Sequence, residues 1–265
     1  MTNKLVNKGL QMYQNITIQI NDKIAEITLN RPERMNAITV DLLKELKNEI
    51  ISINNNNSIS VIILTGAGKA FSAGVDLRQL EANGTDVSSG GVGVELDQHA
   101  NEVIKLLEDS PKAIISKING FCFTGGLELA LSADLIYIAN EAKLGDTHAV
   151  LGFRPSWGLT QRLPQYIGIS RAKELSFTAK TISGIEAVKY GIALASYPIE
   201  ELNTKVYEIA LKISKNSPNS IKAYKDLYGA ASNKGLKEGL EYEANTSYDI
   251  PEVKERVQEF LKKLR

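Results

Sequence analysis

The chain has 265 residues, enough to bury a substantial core without disulfide or metal staples, as one large domain or two small ones. Its 31 Lys and Arg balance 31 Asp and Glu, so no global field directs it to nucleic acid or an anionic membrane, and any polyanionic ligand must meet a local basic cluster. The single cysteine, Cys122, excludes a disulfide framework and an all-cysteine metal cage, and no apolar run nears the roughly 20 residues of a membrane span, so a cytoplasmic protein is expected.

Residues 1–14 are polar, with neither an apolar signal core nor the arginines of a transit peptide, and read as a disordered or frayed leader with Met12 as an alternative start. Residues 16–20 and 24–29 alternate apolar and polar about Asn21-Asp22, which predicts a hairpin. Thr39 precedes residues 40–53, where Val40, Leu43, Leu46, Ile50 and Ile53 recur at helical spacing, with Asp41 and Glu45 early to suit the macrodipole. An asparagine tract then leads to Val61-Ile62-Ile63-Leu64, a β-branched apolar run suited to a strand buried on both faces.

The Gly/Ser-rich stretch 84–93 is too flexible to be core and reads as a mobile lid. A helix over 96–107, a strand over 113–118, a glycine turn, a helix over 126–132 and a strand over 135–139 repeat the alternation. Beyond Gly158 the pattern is mainly helical, with helices near 199–214, 219–231, 236–247 and 251–263. The first two thirds are therefore α/β and the last third is helical.

Two glycine-rich turns join buried strands to helices. In Lys69-Ala70-Phe71-Ser72-Ala73-Gly74-Val75-Asp76-Leu77, small residues let the backbone approach a ligand, and Val75 is expected to open a helix with a free N–H. In Asn119-Gly120-Phe121-Cys122-Phe123-Thr124-Gly125-Gly126-Leu127-Glu128-Leu129, the Gly125 N–H is free in the same way. Two such donors converging on one oxygen would form an oxyanion hole, although a single glycine turn also serves simply to make a tight connection.

These turns, together with Asn30-Arg31-Pro32-Glu33-Arg34-Met35-Asn36-Ala37 and Gly158-Leu159-Thr160-Gln161-Arg162-Leu163, occur in the order found in the crotonase, or enoyl-CoA hydratase/isomerase, superfamily, and the chain resembles it from about Tyr13 onward. The resemblance implies a crotonase-like ββα spiral core over 15–200, a C-terminal helical trimerisation region over 201–265, and assembly as a trimer or a hexamer of two trimers. It also implies an acyl-CoA substrate, with coenzyme A entering as part of that substrate and no separate cofactor or metal.

Carried over by position, the oxyanion donors are Val75 and Gly125, and the acyl-CoA contacts are Arg34, Ala37, Ala73, Val75, Asp76, Leu77, Arg78 and Gly125, with Phe260 and Lys263 closing the CoA pocket from a neighbouring subunit. Arg78 and Arg34 would offer fixed cations to phosphate, or stand as solvated surface charges. Thr124 occupies a position where many members carry a further glycine.

Glu128 matches the first of the two catalytic glutamates of enoyl-CoA hydratases, and burial near an enolate would raise its pKa into a useful range. The second glutamate is absent. His148 stands at its position with Asp146 two residues earlier, and reads either as an acid-base partner oriented by Asp146 or as a histidine bonded to backbone beside the pocket. His99 reads as surface or pocket lining, and Trp157 as core packing or a wall of the acyl pocket.

Dienoyl-CoA isomerases and aryl-CoA dehalogenases need an aspartate where this chain has Ser156, which disfavours both. Hydration of a 2-enoyl-CoA is therefore the leading expectation. A single-acid isomerase, decarboxylase or lyase is an alternative, as is a non-catalytic acyl-CoA-binding member.

Overall fold

The computed structural model describes residues 13–264. Residues 1–12 of the expected leader lie outside that range. Tyr13 and Gln14 are tied to the first helix: the Tyr13 hydroxyl donates to Glu49 (3.1 Å) and the Gln14 N–H to Glu45 (3.0 Å).

The chain begins with the predicted hairpin, β1 (Ile16–Asn21) and β2 (Ile24–Leu29), then a 3-10 turn (Pro32–Arg34) and α1 (Val40–Asn54). The first winding follows: β3 (Val61–Gly66), β4 (Ala70–Ser72), α2 (Leu77–Ala82) and α3 (Val94–Glu108). The second is β5 (Ala113–Ile118), β6 (Phe121–Phe123) and α4 (Gly125–Leu131), and the third is β7 (Leu135–Ala139), β8 (Lys143–Gly145) and α5 (His148–Leu151). After α6 (Leu159–Ile167), α7 (Ile169–Thr178), β9 (Ile182–Ser183), α8 (Gly184–Tyr190) and β10 (Ala195–Tyr197) come α9 (Ile199–Ser214), α10 (Pro218–Asn233), α11 (Leu236–Asn245) and α12 (Val253–Lys263).

Each winding lays a long strand in one sheet, turns a corner into a short strand of a second sheet, and returns by helix. The large sheet has the order β1-β2-β3-β5-β7-β10, parallel from β2 onward, and the small one β4-β6-β8-β9. This is the expected α/β spiral of ββα units. Strands β3 and β5 are buried along their whole length, which explains why Val61-Ile62-Ile63-Leu64 is continuously apolar.

Helix α1 starts at Thr39, whose hydroxyl accepts the Leu42 N–H (3.1 Å), and buries Leu42, Leu43, Leu46, Ile50 and Ile53. Truncating one of these to Ala would cost about 2–5 kcal/mol.

The corners leave irregular backbone in the interior, where every N–H and C=O needs a partner. Buried Asn36 supplies several: its amide donates to Ala67 O (2.9 Å) and Ala70 O (2.7 Å) and accepts from Arg31 N (2.9 Å). Asn119 does the same for the next corner, accepting from Gly66 N (3.2 Å) and donating to Gly68 O (3.0 Å).

The stretch expected to be a mobile lid is exposed over residues 86–89 and is seated at its C-terminal end. Val92 is buried in the core, and Gly90 O accepts from Arg154 N (2.9 Å), because the glycines let the loop lie against residues 152–154. Helix α9 packs on the large sheet through Leu202, Val206 and Ala210, and Asn203 meets buried Lys117, which also binds Glu26 (2.7 Å). Among the described residues, no helix is long and apolar enough to cross a membrane.

Candidate active site

Two neighbouring corners build the first half of the site. After β4, Gly74 takes a positive φ of 91° and residues 73–76 run beside 35–38. Ala73 N donates to Met35 O (3.0 Å), Ile38 N to Gly74 O (2.7 Å) and Asp76 N to Ile38 O (3.0 Å).

Successive N–H groups of extended backbone point to opposite sides. The Val75 N–H therefore faces away from this ladder and has no acceptor among the described residues. This corrects the expectation that Val75 opens a helix. Helix α2 begins at Leu77 and is capped by Asp76, so the free donor arises from strand alternation rather than from a helix end.

After β6, Thr124 turns the chain into α4 at φ 46° and ψ −115°, a conformation glycine adopts readily and a β-branched residue resists. Gly125 is the first residue of α4, so its N–H lacks an intrahelical acceptor, and none is found elsewhere among the described residues. A methyl group at Gly74 would overlap the Thr124 hydroxyl, and one at Gly126 would overlap Ser72 O. The two turns are thus in contact, and they hold the two free N–H groups in neighbouring backbone.

One turn into α4, Glu128 is 1% exposed. Its Oε1 accepts two backbone N–H groups, from Trp157 (3.0 Å) and Leu159 (3.1 Å), which leaves Oε2 unbonded. Oε2 lies 3.9 Å from His148 Nε2. Burial pushes the Glu128 carboxyl above the ordinary carboxylate value, and the Leu159 N–H, the His148 ring and the Trp157 N–H reverse only part of that.

The histidine is oriented from behind. Strand β8 ends at Gly145, the chain turns, and the Asp146 carboxylate accepts His148 Nδ1 (2.6 Å) and the His148 N–H (3.2 Å) through the same oxygen. Burial acts upward on Asp146, but the hydrogen bonds from the His148 ring, the Ser176 side chain and the His148 N–H together outweigh it and hold the carboxyl below its usual value. An ionised carboxylate only accepts, so the ring proton sits on Nδ1 and Nε2 faces Glu128.

The other expected contacts are placed unevenly. Ala37 and Ala73 lie in the paired segments beside Val75, while Arg34, Leu77 and Arg78 are exposed, and neither guanidinium pairs with a carboxylate among the described residues. The Asp76 side chain, expected to contact acyl-CoA, is buried and engaged instead. Its carboxylate accepts Arg31 Nη2 (2.9 Å) while capping the α2 N-terminus, and Arg31 also donates to Ala37 O.

Phe260 and Lys263 lie on the exposed face of α12. At this end of the chain Ser217 Oγ and Asn219 Nδ2 donate to the Glu252 carboxylate and Arg256 Nη1 donates to Lys215 O, and among the described residues no hydrogen bond joins α12 to the two turns. His99 sits between Glu95 and Glu102 on α3, with Nδ1 lacking a hydrogen-bond partner. Cys122 is fully buried and burial pushes its thiol up, which leaves it unreactive.

Three residues to which pattern reasoning gave no role shape the site: Arg31, Asp97 and Ser156. Ser156 Oγ donates to Asp97 (2.7 Å), and so does the Trp157 indole N–H (2.8 Å). No local signal marks Asp97, because its partners lie some 60 residues away along the chain.

A spiral of ββα windings whose adjoining corners present two unbonded N–H groups, with a buried carboxylate on the helix that carries one of them, defines a crotonase-type protein. The chain belongs to the enoyl-CoA hydratase/isomerase family, whose model matches residues 19–265. It is 35% identical over 223 residues to the short-chain-enoyl-CoA hydratase of Clostridium acetobutylicum, covering 84% of this chain and 82% of that protein. It is 33% identical to the crotonyl-CoA hydratase of Syntrophomonas wolfei, covering 86% and 85%. A crystal structure of enoyl-CoA hydratase from Bacillus anthracis superposes with a TM-score of 0.82 at 36% identity, covering 87% of this chain and 88% of that one.

Proposed function

We propose that the protein adds water across the double bond of a 2-enoyl-CoA, with Glu128 and His148 handling the protons. The observation that carries this reading is the division of labour at Glu128: Oε1 is fixed by two N–H groups and Oε2 is left facing His148 Nε2 at 3.9 Å. That gap is too long for a good hydrogen bond, yet a water about 2.8 Å from both atoms would bridge them at an angle of roughly 90°. Such a water presents one lone pair outward.

In this reading the Val75 and Gly125 N–H groups receive the thioester oxygen. Glu128 takes a proton as the water oxygen bonds to C3, and the electron pair of the double bond moves to the oxygen as an enolate. His148, which in the ion-paired arrangement carries a second proton on Nε2 beside ionised Glu128, then gives that proton to C2 and is left as the neutral ring protonated on Nδ1. Transfer of the proton from Glu128 to His148 restores the resting pair, so one water is consumed and no other reactant is needed. Each hole donor is worth about 3–4 kcal/mol of barrier in comparable sites.

The exposed Arg34 and Arg78 guanidinia are suited to the CoA phosphates. Helices α10 to α12 expose Tyr224, Tyr228, Leu240, Val257, Phe260 and Leu261, which supports burial against further copies in a trimer or hexamer and a role for Phe260 and Lys263 at a neighbour's pocket. Light scattering on the purified protein measures that assembly directly. The single buried cysteine suits the reducing cytoplasm.

The test is loss of the enoyl-thioester absorbance with crotonyl-CoA and longer 2-enoyl-CoAs, with products weighed by mass spectrometry. Gain of one water is expected. An unchanged mass or loss of carbon dioxide selects the single-acid chemistries, and tight thioester binding without turnover selects a non-catalytic member.

A further inference from the structure

Trp157 touches both halves of the proposed machinery. The edge of its ring lies against the Cα of Gly125, so closely that a methyl group there would overlap it, and its backbone N–H donates to Glu128 Oε1 (3.0 Å). Its carbonyl accepts Arg162 Nη1 (2.7 Å), and Arg162 Nε is held by Glu108 (2.6 Å). The segment is otherwise short of regular structure, since α6 begins only at Leu159 after Gly158 at a φ of 99°. What fixes the ring plane is Asp97, one turn into α3, whose Oδ1 alone accepts both the indole N–H (2.8 Å) and Ser156 Oγ (2.7 Å). Asn101 on the same helix adds a longer bond to Ser156 O (3.4 Å).

We propose that Asp97 is a positioning residue, which clamps Trp157 so that one rigid side chain sets both the Gly125 donor and the Glu128 carboxylate. The physical case rests on geometry. A ring free to turn about χ1 and χ2 would leave Gly125 without its wall, and it would let the 156–159 segment, which supplies both N–H groups to Glu128, drift. Displacements of about 1 Å in such frameworks cost up to about a hundredfold in rate. The clamp depends on an oxygen acceptor rather than on charge. An amide oxygen also has two lone pairs, so Asn can replace Asp here while Ala cannot.

This inference rests on the hydratase reading for its kinetic arm and is independent of it for its spectroscopic arm. Trp157 is the chain's one tryptophan, so its fluorescence reports the clamp without interference. In Asp97→Ala, the Trp157 emission should shift to the red and become accessible to acrylamide. With crotonyl-CoA, kcat should fall about ten- to a hundredfold while KM moves less than about threefold, and Asp97→Asn should restore both readouts to within about threefold.

Trp157→Phe, which loses the N–H together with the outer ring edge that walls Gly125, should be at least as slow as Asp97→Ala, and the double variant should be no slower than Trp157→Phe alone. Wild-type emission and kcat in Asp97→Ala would overturn the proposal, as would multiplicative losses in the double variant or a loss confined to melting temperature. Should the wild-type protein hydrate no enoyl-CoA, the hydratase reading fails, and unaltered emission in Asp97→Ala would still sink the clamp separately.

Discussion

Glu128→Gln separates the cost of the buried carboxylate from its use. The amide is isosteric, and its oxygen can go on accepting the N–H groups of Trp157 (3.0 Å) and Leu159 (3.1 Å), so the segment it holds should stay in place. In the proposed mechanism, what disappears is the base. Loss of general base catalysis predicts a fall in kcat of about 10²–10⁴ with crotonyl-CoA.

Stability should move the other way. The carboxyl is held above its ordinary value of 4.5 by burial, so the folded state disfavours the charged form. A group raised in this way stabilises fully below its unfolded pKa and loses that contribution as pH rises through the folded value. As the pH rises above the unfolded value the wild-type protein therefore accumulates a penalty, limited to about 1.36 kcal/mol for every tenfold by which folding tightens the carboxyl's hold on its proton, and the glutamine variant does not. For a chain of this size each kcal/mol moves the midpoint by roughly 2–4 °C. Thermal melts at pH 7 should show the variant more stable, and melts below pH 4.5 should show the two converging. A variant that is less stable at pH 7, or one that retains kcat within a few fold, would refute the reasoning.

Replacing His148 by Gln should lower kcat at least about a hundredfold while a CoA thioester still binds by calorimetry, and an undiminished kcat would select a one-residue mechanism. Asp146→Asn leaves the shape but offers an amide donor to Nδ1, so the ring proton can move to the wrong nitrogen, and kcat should fall by about 10²–10⁴ with little change in KM. The acid limb of the wild-type pH–rate profile should lie above the ordinary carboxylate value, because the proposed mechanism needs Glu128 ionised to take the proton from water, and a limb at or below 4.5 would contradict this. Thr124→Gly should relieve about 1–3 kcal/mol of backbone strain against the roughly 0.5–1 kcal/mol that glycine loses on folding, so differential scanning should find an equal or higher midpoint.

Elements with a strong period were legible in the sequence to within a residue or two. The hairpin, α1, β5, β7 and α9 all announce themselves through alternation or helical spacing of apolar residues. The small sheet was not, because β4, β6 and β8 are three residues long and three residues carry no period. The 84–93 stretch was legible only in part, since residues 86–89 are exposed while 91–92 are buried. Its glycines suggested mobility, yet they are what permits the loop to approach Arg154 closely enough to dock.

At the candidate site, motif order singled out Val75, Gly125, Glu128 and His148, while the contacts that hold them were invisible. Arg31 reaches Asp76 across 45 residues, and Asp97 reaches Trp157 across 60. Asp146 was readable only as a neighbour of His148. The turn after β8, which points both side chains inward and closes the distance to 2.6 Å, follows from tertiary structure.

That turn changes the proton accounting of the site. Two carboxylates side by side in a buried pocket repel when both are ionised, so one must keep a proton. In the proposed mechanism the partner of Glu128 is instead an imidazole backed by a carboxylate, and the pair shares a single proton in either of two arrangements, ion pair or neutral pair, that carry the same total charge. Hydration needs this freedom, because the group that accepts a proton from water and the group that gives one to C2 differ, and the site must reset without solvent. With Glu128 Oε1 tied by two N–H groups, the transfer can only run through Oε2 and Nε2. A histidine in place of an acid is therefore compatible with two-residue hydration only while Asp146 keeps the other ring nitrogen occupied, and this makes Asp146, rather than His148 alone, the residue on which the reading turns.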